Sequence, residues 1–240
     1  MSSFSDYCEI NGEINDVAWK GREIHSCPEL IDFIRRVGFL PLLDSGIRGF
    51  SAESVLAEEC RFTRFDDGSW EWPLWTWKGA VVTEGDCVYG KFFAGKAGFV
   101  SREWWPDFCN WRRSKSPVLS EGSIEEAIVS ILRENGSMIA RELRAACGFT
   151  GPKMRGKFDG YINRLQMECR IVTEDFVYPT DRHGHEYGFG WSLLTTPERL
   201  LGANACQCDR SPDESYRLML GHLRQLLPHA DEKHVAKMVK

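Results

Sequence analysis

No run of apolar residues in this 240-residue chain approaches the length of about 20 that a membrane-spanning helix requires. Met1 to Asn15 lacks the basic flank and apolar block of a secretory signal, so a cytoplasmic protein is expected, with no membrane partner. Cys-x-x-Cys pairs are also missing. The nine cysteines are scattered, and Cys206-Gln207-Cys208 is the one close pair, with no second pair to complete a tetrahedral zinc site. The thiols are read as reduced and mostly buried, with a redox or metal role for Cys206 and Cys208 as the alternative, and no metal site is assigned. There is no phosphate-cradling glycine loop, zinc-protease motif or nucleophile elbow. Gly85 to Gly98 holds several glycines without the required spacing and reads as a turn. No cofactor is expected.

A net charge of −5 argues against a generic nucleic-acid coat, but its distribution is uneven. Lys91, Lys96, Arg102, Arg112, Arg113 and Lys115 face only Glu103 and Asp107 in one block. Arg133, Arg141, Arg144, Lys153, Arg155, Lys157, Arg164 and Arg170 outnumber Glu134, Glu142, Asp159 and Glu168 in the other. The compensating acid lies mainly in residues 1–86, an asymmetry that suits one face presented to phosphate.

Residues 123–197 carry the most consistent local signals. Ser123 with Glu126 three residues on is a capping box, followed by Ile124, Ala127, Ile128, Ile131 and Leu132 at helical spacing, and Asn135-Gly136 stops that helix. Ser137 is expected to cap a second helix with Ile139, Leu143, Ala146 and Cys147 inward, ended by Gly148. A third helix follows Gly151-Pro152, with Met154, Phe158, Tyr161, Ile162, Leu165 and Cys169 on one face. Ile171–Tyr178 and the alternating Tyr187, Phe189, Trp191 and Leu193 then read as strands around a hairpin tip at 181–186. Three short helices and a hairpin predict a winged helix-turn-helix, whose third helix enters the major groove while the hairpin touches the backbone.

On that third helix, Lys153, Lys157 and Arg164 form one edge, Arg155 and Gln166 the other, and Gly156, Gly160, Asn163, Met167 and Arg170 lie opposite the apolar face. Lys153, Arg155, Lys157, Asn163, Arg164 and Arg170 are the expected nucleic-acid contacts. His183 and His185 at the hairpin tip are read as wing residues near phosphate or as solvated turn residues. Two mid-helix glycines cost about 1 kcal/mol each. Either a backbone approaches closely there, or the helix starts after Gly156.

The remaining chain predicts a polar leader over 1–27, a Trp-rich mixed α/β domain over 28–116 and a C-terminal helical segment over 198–240, an α+β protein overall. The leader is expected to be poorly ordered or to strap across the surface. Pro28–Arg36 predicts a helix closed by Gly38, with Phe39–Leu43 extended. Ser51–Glu59 predicts a helix capped by Ser51, and Ser101–Arg113 another with a Ser cap. A polar Ser/Pro/Gly connection over 114–122 marks a boundary between domains. Thr196-Pro197 caps one turn closed by Gly202. Ser211-Pro212-Asp213-Glu214 is a second capping box, heading a helix with Tyr216, Leu218, Leu220 (or Met219), Leu223 and Leu227 inward, and Val235 and Met238 anchor a last short helix.

Residues 62–113 concentrate Trp, Tyr and Phe, as a core or as a stacking pocket for an unstacked base. Trp75, Trp77 and Lys78, and Tyr89 and Lys91, place a cation beside aromatics and form the candidate base pocket. Lys78 or Lys91 could serve as an imine-forming amine if burial lowered its pKa. No residue stands out as catalytic.

Residues 158–202 resemble the winged-helix segment of the AlkZ-related proteins, kin of the AlkZ/YcaQ DNA glycosylases. The resemblance rests on Phe158-Asp159, Arg164-Leu165-Gln166-Met167, Asp175-Phe176-Val177-Tyr178, Gly184, Tyr187-Gly188, Trp191 and Thr196-Pro197-Glu198, with Trp75–Gly79 and Tyr89-Gly90-Lys91 in the first half. It implies a winged-helix architecture, DNA as partner and a place in the repair of alkylated DNA. The glycosylase kin carry a Gln-x-Gln signature. The three glutamines here, Gln166, Gln207 and Gln225, form no such pair, so base excision is carried over to no residue. The alternatives are a winged-helix transcription regulator, dimeric on palindromic DNA, and a protein-interaction module.

Overall fold

Cys87–Phe93 is buried at every position but Lys91, and it folds back on Lys96–Ser101 through Ala94 and Gly95, both at positive φ. This hairpin is the centre of the sheet. The computed structural model describes residues 23–44, 46–151, 154–184, 188 and 190–240. Most of the expected leader (1–22), Lys153, His185, Tyr187 and Phe189 lie outside the described residues.

The chain begins with α1 (Cys27–Val37) and β1 (Phe39–Pro41). A small hairpin, β2 (Thr63–Arg64) and β3 (Trp70–Glu71), leads into α2 (Pro73–Glu84), β4 (Cys87–Phe93), β5 (Lys96–Ser101) and α3 (Trp105–Ser114). Next come α4 (Ile124–Asn135), β6 (Met138–Ile139), α5 (Ala140–Ala146), α6 (Met154–Met167), β7 (Val172–Val177) and β8 (Trp191–Thr195). The chain closes with α7 (Pro197–Leu201), α8 (Pro212–Leu226) and α9 (Glu232–Val239). The architecture is α+β. One six-stranded sheet runs β1-β5-β4-β7-β8-β6, antiparallel throughout, and crosses from the first half to the second where Tyr89 pairs with Thr173. Gly98 is required in β5, because a Cβ there would lie 2.6 Å from the Leu40 carbonyl on the neighbouring strand.

Two hydrophobic cores flank this sheet. The larger joins α1, the β4–β5 hairpin and α3 to Met219, Leu223, Val235 and Met238 of α8 and α9. The smaller packs Ile128, Leu132, Leu143, Phe158, Ile162, Leu165 and Leu194 from α4, α5, α6 and β8. The end signals that are purely local hold. Ser123 accepts from the Glu126 N–H, though the Glu126 carboxylate accepts from Ser130 and that box is only half made; Thr196 accepts from Arg199, and Ser211 and Glu214 exchange both bonds of a capping box. Gly38, Gly136 and Gly202 close their helices at positive φ. No helix among the described residues is long and apolar enough to cross a membrane.

Several expectations yield to partners distant in sequence. Residues 51–55 are turns followed by a 3-10 turn at Glu58–Cys60, not a helix, because Ile24 hydrogen-bonds Val55 and Ala57 on either side of Leu56. That pairing also brings Ile24, from the expected leader, into the core at 3% exposure. Ser101 does not cap a helix: its N–H bonds Gly38 at the end of β5, and α3 starts at Trp105. Ser137 bonds Glu174 rather than capping, since Met138 and Ile139 pair with Leu194 and Leu193, which delays α5 to Ala140. Of the glycines of 85–98, Gly85 closes α2, and Gly90, Gly95 and Gly98 belong to the β4–β5 hairpin. Trp191 is exposed, and the buried end of β8 is Leu194 and Thr195, so its apolar face is not the alternating set expected. Leu218 points outward, with Met219 and Leu226 inside. Helix α6 runs through Gly156 from Met154, so the late start is excluded, and among the described residues no other segment lies within 4 Å of a Cβ at Gly156 or Gly160.

Candidate nucleic-acid interface

The β7–β8 hairpin divides two clefts. On one side, Ile139, Ala140, Arg141 and Arg144 at the start of α5 face Arg155, Asp159, Ile162, Asn163 and Gln166 of α6. The wall is completed by Gly190, Trp191, Ser192 and Leu194 of the hairpin and by Lys91 of β4, around about 620 Å³. Lys91, Arg141, Arg144 and Arg155 are its cations among the described residues, and Asp159 its one acid. Among the described residues Asp159 pairs with Arg155, at 3.8 Å, and that Arg is largely exposed. Such an exposed pair leaves the cleft positive.

Its remaining groups suit a planar polar ligand. Trp191 is 45% exposed, with the Arg141 guanidinium 5.3 Å from its ring centroid. Asn163 lines the cleft, and its Oδ1 is buried behind that wall without a hydrogen-bond partner among the described residues. Gln166 is fixed instead: its Oε1 accepts from the Lys91 N–H at 3.0 Å, tying α6 to β4 and placing Lys91 on the rim. Gln166 is therefore buried, not on an exposed edge of the helix.

The other expected contacts scatter. Lys157 is exposed on α6 but does not line the cleft. Arg164 turns to Glu125 of α4 at 2.8 Å, and Arg170 bonds Glu168 at 3.2 Å and the Pro117 carbonyl at 2.8 Å. His183 sits exposed in the hairpin turn, its N–H on Asp181. Sequence reasoning missed Arg141, Arg144 and Trp191 as cleft residues. The i, i+3 spacing of the two arginines on either side of buried Leu143 was the available signal.

The first basic block forms no face. Arg112 is buried and donates to the carbonyls of Val239, Met167, Phe92 and Met238. Burial pushes its guanidinium down to about 10, which still leaves it charged at neutral pH. Arg113 bonds Cys169 O and Glu198, and Lys115 lies over Trp111.

The second cleft, about 490 Å³, is aromatic, with Trp70, Trp72, Trp75 and Tyr178 among its walls and Gly188 from the hairpin. Trp72 and Trp75 stack at 4.8 Å, and Glu53 holds the Trp72 indole N–H at 2.7 Å. Of the candidate base pocket, Trp75 lines this cleft. Trp77 and Tyr89 pack into the core, where burial pushes the Tyr89 phenol up, while Lys91 opens on the basic cleft. Lys78 lies sealed behind Trp75 and Tyr178. Its Nζ is 3.3 Å from the Phe176 ring centroid, 4.3 Å from that of Trp75 and 3.2 Å from the Tyr178 hydroxyl. Burial pulls its pKa down to about 7 despite nearby Asp175. Among the described residues no group of three His, Cys, Asp or Glu side chains is placed to hold a metal.

A basic cleft beside a β-hairpin on an antiparallel sheet defines the class as a mixed α+β protein. Within it, the AlkZ-related family model matches residues 24–240, and the chain belongs to that family. No curated protein and no solved structure matches the chain.

Proposed function

We propose that residues 123–197 are a winged helix-turn-helix that binds DNA through the cleft between α5, α6 and the β7–β8 hairpin. The observation that carries this reading is the cleft itself. Four cations stand around an exposed Trp191, and Asn163 lines the same wall. Arg and Lys neutralise phosphates, while Asn reads adenine and an indole stacks on any base. The element order, with short β6 between the first two helices, supports the winged-helix assignment. The AlkZ-related family supports a role in the repair of alkylated DNA. No residue is assigned a catalytic role. On this reading 28–116 and 123–197 are two domains sharing one sheet, and 198–240 belongs with the first through its core contacts.

The test is a salt titration on one duplex of wild type and of Arg141→Gln/Arg144→Gln/Arg155→Gln. Each neutralised phosphate contributes about 0.9 to the slope of log affinity against log salt, so the triple variant should flatten it by up to roughly 2–3. The fold should survive, since Arg141 and Arg155 are exposed and Arg144 is half-buried outside the core, and surface substitutions change stability by about 0.5 kcal/mol each. An unchanged slope in a folded variant removes this cleft as the contact surface.

A second reading, a protein-interaction module, is favoured by Phe62, Phe65 and Trp70, which stand 44–50% exposed on the β2–β3 hairpin. It predicts no salt-dependent affinity for duplex in the wild type.

A further inference from the structure

The loop between α7 and α8 returns across α3, and there two thiols meet. The Cys109 Sγ on α3 lies 3.0 Å from the Cys206 Sγ on the loop, about 1 Å beyond a disulfide bond. We propose that Cys109 and Cys206 are a reversible redox pair, closed to a disulfide by a hydroperoxide and reopened by thiols.

The two sulfurs are placed for different roles. Cys206 is half-buried on the 202–210 loop, where a small oxidant arrives from solvent, and Cys109 is buried behind it. The Cys109 thiol donates to the Cys206 sulfur, and that hydrogen bond holds Cys206 below the ordinary thiol range. Burial opposes it, and the Arg113 guanidinium adds to it. Cys109 itself is pushed well above that range, first by burial. Cys206 is thus the attacking thiolate and Cys109 the resolving thiol. Cys208, two residues on, is engaged elsewhere, at 3.4 Å from the Asp107 carboxylate and 3.7 Å from Ser215.

The reaction closes on these atoms. The Cys206 thiolate attacks one oxygen of hydrogen peroxide and breaks the O–O bond, becoming a sulfenic acid, while the other oxygen leaves as hydroxide and takes up the proton released when Cys206 ionised, as water. The Cys109 sulfur then attacks the Cys206 sulfur and displaces hydroxide, which takes up the Cys109 proton as a second water. Two thiols and one peroxide become one disulfide and two waters. The bond would fasten the 202–210 loop to α3. The same helix holds the C-terminal end of α6, through Arg112 on Met167 and Arg113 on Cys169. The pair thus secures the C-terminal helices to the first core, and the idea does not depend on DNA binding.

The test uses the full chain, treated with stoichiometric hydrogen peroxide, quenched, digested without reduction and mapped by mass spectrometry. The expected product is a peptide joining Cys109 to Cys206, with loss of two titratable thiols, both reversed by dithiothreitol. The oxidised protein should melt several degrees higher than the reduced one. Cys206→Ser should abolish the crosslink and Cys208→Ser should keep it. A crosslink mapping instead to Cys109 and Cys169, whose thiols also interact, overturns the assignment. So does oxidation of Cys206 to sulfinic acid alone, or no reaction. If Cys206→Ser fails to fold, the wild-type peptide map still decides.

Discussion

The two stretches that read alike as positive in sequence, 91–115 and 133–170, take opposite places in the fold. In the first, arginine is internal scaffolding. Arg112 ties α3 to β4, α6 and α9 through backbone carbonyls, and Arg113 crosses to Cys169 and Glu198. Lys96 and Arg102 cap the carbonyls of Asp44 and Leu201. Among the described cations of that block, Lys91 is the one that lines the basic cleft. In the second, the helices pack by Leu143, Phe158 and Ile162, which leaves Arg141, Arg144 and Arg155 outside with little acid to oppose them. A charge run in sequence is therefore no measure of a charged face. What matters is whether the helix that carries it is enclosed on all sides.

The contrast is broken most directly at Arg112. Arg112→Ala would orphan several buried carbonyls, and since each unsatisfied buried acceptor costs about 1–3 kcal/mol the expected loss is about 3–5 kcal/mol in urea unfolding. A loss under about 1 kcal/mol would mean that Arg112 is no more structural than the cleft arginines.

Lys78 sharpens the same comparison with pH. Its folded pKa is depressed to about 7 from 10.5, so between those values the unfolded chain binds more protons and wild-type stability rises with pH. Burying the ammonium is costly below pH 7, and the cost fades toward about pH 10. Lys78→Met should thus be more stable than wild type by about 1–3 kcal/mol near pH 6, with the gap closing as pH rises. Thermal melts of both proteins across that range check it. A gap independent of pH would show that packing, not charge, sets the difference.

The smallest effect is expected at Asn163. Its Oδ1 has no partner to lose, so Asn163→Ala should leave stability within about 0.5 kcal/mol. Competition binding among duplexes of different sequence should still show discrimination falling by about 1 kcal/mol at one position, with the salt slope unchanged. A uniform loss across sequences would make Asn163 a structural residue.

Local chemistry in the sequence determined the helices around Ser123, Thr196 and Ser211, the stops at Gly38, Gly136 and Gly202, and the apolar face of α6 centred on Phe158, Ile162 and Leu165. Each depends on residues within a turn or two, so a short window contains the whole interaction. The candidate cleft was half legible for the same reason: Arg155 and Asn163 follow from the helical face. Arg141 and Trp191 needed the hairpin folded back on α5. Tertiary structure alone decided that Gln166 would meet the Lys91 backbone 75 residues away, that Ile24 would bind across Leu56, that Lys78 and Arg112 would be enclosed, and that Cys109 would lie against Cys206. Burial and long-range hydrogen bonding are properties of what surrounds a side chain, and in these cases the surroundings come from segments far along the chain.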